Sequence, residues 1–368
     1  MTDLYQRSID LILANQSPSG AYVASPTFPT YRYSWFRDGA YIAHAMDLVG
    51  ERASARRFYD WALGAVAART EQTKRAIAAA VHGVPPAELL LHTRYTLGGA
   101  VGEDEWPNFQ LDGFGTLLWG VSEHLSAENE TLPDAWRGPV ELVARYLMAL
   151  WRHPCYDCWE EFGDRVHTAT LAALYGGLRA ASRLLDADAP RHAAEEIRRF
   201  VLVECVADGC LCKSVGNAAV DANLLHVATP YRLLEPHDPI MRATVDQIEA
   251  DLRRDGGVRR YADDSYYGGG EWVLLTAYLG WHYVDRGEPE RATPLLAWIE
   301  RQADPDGHLP EQVAVNLNHP HMLPVWNDQW GTSARPLLWS HAAYVTLVEH
   351  LEHASFVGAG SAPTNRVP

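Results

Sequence analysis

No stretch of the sequence approaches the roughly 18 consecutive apolar residues of a membrane-spanning helix, so no span is expected. The N-terminal MTDLYQRSIDLILANQ carries Asp3 and Asp10 where a secretory leader keeps an uncharged apolar core, and a cytoplasmic location follows as the expectation. Positive charge is scarce. Against 47 Asp+Glu stand only 31 Lys+Arg, a formal net charge of −16. That balance excludes electrostatic attraction to nucleic acid or to an anionic membrane and leaves a neutral or cationic small molecule as the fitting partner. Cysteine is sparse and odd in number, five in 368 residues. A chain of this size needs no disulfide staples, so reduced thiols are expected. Cys155 and Cys158 form a CxxC and Cys205, Cys210 and Cys212 cluster later, which makes zinc conceivable. The second cluster lacks the CxxC spacing, however, and the first lies in an aromatic, acidic segment with another use, so no metal is expected.

Strand alternation is the last absence, and helical periodicity takes its place. Stretches such as DGAYIAHAMDLVG, DGFGTLLWGVSEHL, HTATLAALYGGLRAASRLL, PRHAAEEIRRFVLVECV and PERATPLLAWIERQA place apolar residues near i, i+3, i+4 and i+7. With the weaker DANLLHVATPYRLL they predict about a dozen helices and an all-α chain. Helices apolar nearly all round alternate with helices that carry a charged face, the mark of an inner and an outer layer. Inner helices begin near 38, 112, 167, 219, 271 and 337. Six such pairs close into an (α/α)6 barrel, a toroid expected over residues 1–354, with 355–368 as a flexible C-terminal tail.

The loops before these inner helices are rich in Gly, Pro, Trp, Tyr and acid: YRYSWFRD, EDEWPNFQLD, YDCWEEFGD, RRYADDSYYGGGEW and HLPEQVAVNLNHPHMLPVWNDQW. A toroid gathers them on one face, where a rigid scaffold places function. With 13 Trp and 17 Tyr in the chain, flat rings beside hydrogen-bonding groups suit a sugar, whose C–H faces stack while its hydroxyls need fixed partners. Two carboxylates stand out. Glu160, beside Trp159 and Glu161, has neighbours expected to raise its pKa, as a general acid needs. Glu311 follows Pro310 and precedes Gln312, an environment expected to leave it ionised as a base. Arg37 and Asp38 together can grip vicinal hydroxyls, although Asp38 equally fits a helix N-cap, and for Asp112 the N-cap is the stronger reading. His319 and His321 in the long loop fit solvated histidines better than pocket contacts.

At these blocks the sequence resembles glycoside hydrolase family 15, the glucoamylase family. YRYSWFRDGA is similar to the segment that holds the non-reducing glucose, which implies sugar contacts from Tyr31, Trp35, Arg37 and Asp38. WPNFQLDG implies Trp106 as an aromatic wall, with Asn108 and Leu111 where fungal members carry arginines. YDCWEE resembles the general-acid block, implying Glu160 as acid and Asp157, Trp159 and Glu161 as sugar contacts. VRRYADDSYYGGGEW implies Arg260, Tyr261, Asp264, Tyr267 and Trp272 as substrate or supporting residues. HLPEQ with ARPLLWSHAAY implies Glu311 as base. Segments similar to the family's N-terminal β-sandwich and starch-binding module are not found, which points to short soluble α-glucosides as substrates. The resemblance implies an inverting, exo-acting hydrolase that needs no metal or organic cofactor. A trehalase of the same fold and a non-catalytic sugar-binding toroid are the alternatives.

Overall fold

Two kinds of helix, read from their buried faces, build the fold. A computed structural model of the chain describes residues 3–360. Its helices are α1 (Asp3–Ala14), α2 (Phe36–Leu48), α3 (Arg52–Ala67), α4 (Thr70–Ala79), α5 (Asp112–Ala127), α6 (Asp134–Leu150), α7 (Thr168–Leu185), α8 (Asp188–Glu204), α9 (Pro239–Leu252), α10 (Val273–Asp285), α11 (Pro289–Glu300), α12 (Met322–Trp330) and α13 (Leu338–Gly360). In α10 every residue from Val273 to Tyr283 is buried, and in α2 every residue from Phe36 to Asp47. In α8 only Pro190, Ala194, Ile197 and Val201 are, one stripe at helical spacing. The first kind must be surrounded; the second needs one neighbour and water.

The contacts close a ring. α2 packs on α5, α5 on α7, α7 on a 3-10 turn at Ala222–Val227, that turn on α10, α10 on α13 and α13 on α2. Outside them lie α3, α6, α8, α9, α11 and α1, each against its inner partner. This is the (α/α)6 toroid expected from the sequence, with one inner position altered. The helix expected to begin near 219 is only a six-residue 3-10 turn, because Pro230 lacks the N–H that would continue it and disfavours helix at the residue before. α13 continues to Gly360, so 355–360 of the expected tail are helical, and 361–368 lie outside the described residues.

Strands missed by the sequence reading staple the loops. β1 (Ser34–Trp35) pairs with β2 (Arg94–Tyr95), and β3 (Val206–Ala207) with β4 (Cys210–Leu211). β5 (Arg253–Arg254), β6 (Gly257–Val258), β7 (Glu271–Trp272) and β8 (Gln312–Val313) form a four-stranded antiparallel sheet. Each is two residues long, too short to display alternation. β8 follows Glu311 directly, and its register, Trp272 opposite Gln312, ties the segment of Glu311 to the loop before α10.

Inner helices approach closely where glycine allows it. A Cβ on Gly115 of α5 would stand 2.4 Å from the Ala173 carbonyl oxygen of α7, and one on Gly177 would stand 2.4 Å from the Gly115 oxygen. Backbone cannot yield as a side-chain tip can, so Gly115→Ala is expected to lower unfolding free energy by about 1–3 kcal/mol. Urea denaturation measures it; an unchanged midpoint would show that the α5–α7 contact tolerates a methyl group.

Candidate active site

At the loop-bearing end of the toroid lies a cavity of about 480 Å3, within the usual range for a small-molecule site. Eleven of the fifteen sequence-nominated residues line it, namely Tyr31, Trp35, Arg37, Asp38, Trp106, Trp159, Glu160, Glu161, Arg260, Trp272 and Glu311, while Asp157, Tyr261, Asp264 and Tyr267 stand behind the wall.

Arg37 and Asp38 occupy the first turn of α2, both buried. The N-cap is Trp35, not Asp38, so the capping alternative for Asp38 is not what the fold uses. The same correction applies to Asp112. α5 begins after Leu111 without a side-chain cap, and the Asp112 carboxylate instead accepts from Arg37 Nη1 at 3.1 Å. A buried guanidinium needs a carboxylate more than a solvated helix end needs a cap. Arg37 Nε lies 3.3 Å from Asp38 Oδ1, yet neither atom has a hydrogen-bond partner. A donor and an acceptor thus stand side by side at the cavity floor. Burial pushes the Asp38 carboxyl up to about 6, against the opposing pull of Arg37.

Glu160 sits in a left-handed backbone conformation, φ +67°, which is unusual for a side chain this large and recurs at functional sites. Asp157 enforces it. Its Oδ1 accepts from the backbone N–H groups of Trp159 and Glu161, each at 3.0 Å, while the Glu160 N–H donates to the Asp157 carbonyl. Asp157 is therefore a support for the loop and not a contact in the cavity. Lys213 lies 3.7 Å from it and also bonds Asp221, whose carboxylate accepts from the Trp159 indole. The Glu160 carboxylate accepts from Trp35 Nε1 at 2.8 Å and from Gln110 Nε2 at 3.1 Å. Gln110 cannot be turned round, because its oxygen faces Arg37 Nη1, which can only donate. The carboxylate of Glu161 is held by Arg260 and Tyr261, away from Glu160.

Glu311 is buried in the wall of the same cavity, its Oε1 accepting from the Tyr31 hydroxyl at 3.1 Å and its Oε2 without a partner. Tyr31 is in turn 3.0 Å from the Tyr266 hydroxyl. Burial raises the Glu311 pKa to about 7, opposed by the Tyr31 hydrogen bond and the charge of Arg260 and assisted by the negative charges of Asp38 and Glu160. The sequence expectation of a readily ionised Glu311 is corrected here: its segment is irregular but dry, with one hydrogen-bond donor where a solvated carboxylate has several.

Arg260 is fixed by both oxygens of Asp264 and lies among the rings of Trp159, Tyr266 and Trp272. Tyr261 serves by holding Glu161, and Asp264 by holding Arg260 and the Tyr266 N–H. The nominated Tyr267 is turned out of the cavity, and its neighbour Tyr266 faces in. Also missed were Cys158, Trp326, Trp330 and Trp339, which line the cavity, and Gln110, which bonds Arg37 and Glu160. All lie in segments whose composition marks them: Gln110 in FQLD, Cys158 in YDCWEE, Trp326 and Trp330 in the long loop ending VWNDQW, and Trp339 in ARPLLWSHAAY. His319 and His321 have rings 6.0 Å apart and do not line the cavity. The five cysteines are free, and among the described residues no three or more His, Cys, Asp or Glu converge as a metal site.

Comparisons with known proteins bear on the chain as a whole. A family model described as glycosyl hydrolases family 15 matches residues 1–349. The isomaltose glucohydrolase of Kribbella flavida is 42% identical over 357 residues, 95% of this chain and 92% of that one. A solved glycosidase structure superposes with a TM-score of 0.92 at 41% identity, covering 95% of this chain and 96% of its own. Trehalase 1 of Sulfolobus acidocaldarius is more distant, 26% identical over 80% of this chain and 56% of its own length. A match that runs nearly the whole chain, through every loop that builds the cavity, establishes that the protein belongs to glycosyl hydrolases family 15.

Proposed function

We propose that the protein is an inverting, exo-acting α-glucosidase that releases β-glucose from the non-reducing end of isomaltose-type disaccharides, with Glu160 as general acid and Glu311 as general base. One observation carries the reading: both carboxylates face a single cavity whose floor holds the Arg37–Asp38 pair. The non-reducing ring sits at that floor with hydroxyls on Arg37 Nε and Asp38 Oδ1, and C1 points toward the mouth.

Position separates the two roles, since the resting pKa of Glu311 alone would suit either. The bond to be broken leaves the ring toward solvent. Half-buried Glu160 stands at that level, donor-held through one oxygen and free at the other to protonate the departing oxygen. Glu311 lies deeper, and its unpartnered Oε2 is the acceptor for a water attacking C1 from the opposite face. Atoms balance without a cofactor: the acid's proton goes to the leaving sugar, the water's hydroxyl to C1 and its other proton to Glu311. The support for isomaltose over trehalose is the Kribbella relative, which matches over nearly the full length of both chains at higher identity than the trehalase.

α-Glucosyl fluoride separates acid from base, because fluoride departs with little help from a proton. On isomaltose, Glu160→Gln and Glu311→Gln are each expected to lower kcat by about 10²–10⁴ or more. On the fluoride, Glu160→Gln keeps a large share of wild-type turnover and Glu311→Gln does not. The reverse pattern would exchange the roles. Proton NMR of the first turnovers is expected to show β-glucose ahead of mutarotation, and α-glucose as initial product would refute inversion. A panel of isomaltose, maltose and trehalose is expected to rank isomaltose first.

A base must be ionised to accept a proton. Since burial raises Glu311 to about 7, kcat/KM is expected to be lost as pH falls through neutrality, with the acid limb centred nearer 7 than an ordinary glutamate's 4.5. A pH profile measures it, and a limb near 4.5 would show that Glu311 is not the group that limits turnover.

A further inference from the structure

Burial orders the cavity by depth. Arg37, Asp38, Trp35, Trp272, Glu311 and Trp339 are buried, Trp159 and Glu160 half-buried, and Trp330 exposed. In an exo reaction the non-reducing ring takes the deep end, so the ring being released lies at the level of the exposed residues. The element at that level is α12, and it is built unlike the other helices.

None of its nine residues is buried, and it packs chiefly on the turn Tyr266–Gly268. The seat is Trp326, edge-on to Tyr266 at 4.9 Å and stacked on Tyr267 at 5.8 Å and 25°. A helix kept for the fold would turn its large apolar side chains inward; here Val325 and Trp330 are exposed, Trp330 by 44%. Trp326 and Trp330 stand four residues apart, on one face of the helix, and both line the cavity. The Trp326 indole N–H is buried without a partner in the protein. A flat exposed ring beside a free donor suits a sugar, stacked on one face and hydrogen-bonded through a hydroxyl.

We infer that α12 is the wall of the leaving-group site and that Trp330 is the residue that selects the released sugar, a hexose ring laid on its indole face with the Trp326 N–H on one of its hydroxyls. The inference rests on the hydrolase reading of the same cavity. It makes the preference for short glucosides a property of a helix that contributes little to the core, and it separates recognition of the two rings: the deep ring belongs to residues on the toroid's inner loops, the outer ring to α12.

A substrate without an outer sugar isolates the effect. With isomaltose and α-glucosyl fluoride as the pair, Trp330→Ala is expected to lower the ratio of their kcat/KM values about tenfold, mainly through KM for isomaltose, and Trp330→Phe to restore most of it. Thermal unfolding is expected to move by less than about 1 °C, since an exposed position is changed. An unchanged ratio, or equal losses on both substrates, would overturn the assignment. Failure of the wild-type protein to hydrolyse the fluoride would instead sink the hydrolase reading itself, so the two outcomes are distinct.

Discussion

The constraint that governs this site is the burial of more carboxylates than cations at one end of the toroid. Asp38, Glu160, Glu161 and Glu311 line the cavity with Arg37 and Arg260 as the cations among them. Desolvation drives the carboxyls of Asp38 and Glu311 toward their neutral forms and each guanidinium away from its charged one. For Arg37 burial is the largest influence, but Asp112 and Asp38 outweigh it and keep the group charged. Asp264 and Glu161 do the same for Arg260. Each arginine therefore spends part of its donor set on a carboxylate outside the reaction, Asp112 or Asp264, and is rigid because of it.

A second tier of buried charge fixes the loop that carries Glu160. Lys213 touches Asp157 and Asp221 and lies over the ring of Tyr261, so one ammonium joins the strut beneath Glu160, the carboxylate that orients Trp159 and the phenol that restrains Glu161. Burial raises Asp157 to about 7 even so. The left-handed backbone of Glu160 is conformationally costly, and it persists because four hydrogen bonds around Asp157 over-determine the turn. Gln110 then couples that loop to the cavity floor, since one amide spans Arg37 and Glu160.

How much of this was legible in the sequence depends on the range of the interaction. The inner and outer helices declared themselves because burial on all sides and burial on one stripe leave different periodicities. The toroid followed from their alternation, apart from the 3-10 turn at Ala222–Val227, where Pro230 was a local signal left unread. Of the eleven cavity residues named from the sequence, Glu160, Glu311, Arg37 and Asp38 stand out by their chemical context, and the others follow from the resemblance that the aromatic, acidic blocks carry. The misassignments are all matters of direction or environment. Nothing in the sequence says that Tyr266 and not Tyr267 faces inward; Tyr267 adopts φ +49° and the turn aims its ring at Trp326. Nothing near Asp112 announces Arg37, 75 residues away in the chain. The raised pKa of Glu311 is hidden from the sequence for the same reason: the polarity of Gln312 is local, and the desolvation comes from elements brought in by the fold.

Several polar atoms at the cavity are left without partners by the protein: Arg37 Nε, Asp38 Oδ1, Glu311 Oε2 and the indole N–H groups of Trp106, Trp272 and Trp326. Buried groups of this kind normally pair, and each one left unpaired in a dry setting costs about 1–3 kcal/mol. A ligand that expels water without replacing those hydrogen bonds meets that cost several times over. A hexose replaces them, because it carries a donor and acceptor on nearly every carbon and still offers C–H faces to the rings between them. Selectivity for a sugar over a similarly sized apolar molecule thus arises from what the fold leaves unsatisfied, and the rigid struts behind Arg37, Glu160 and Arg260 matter because they stop the protein from satisfying those groups itself.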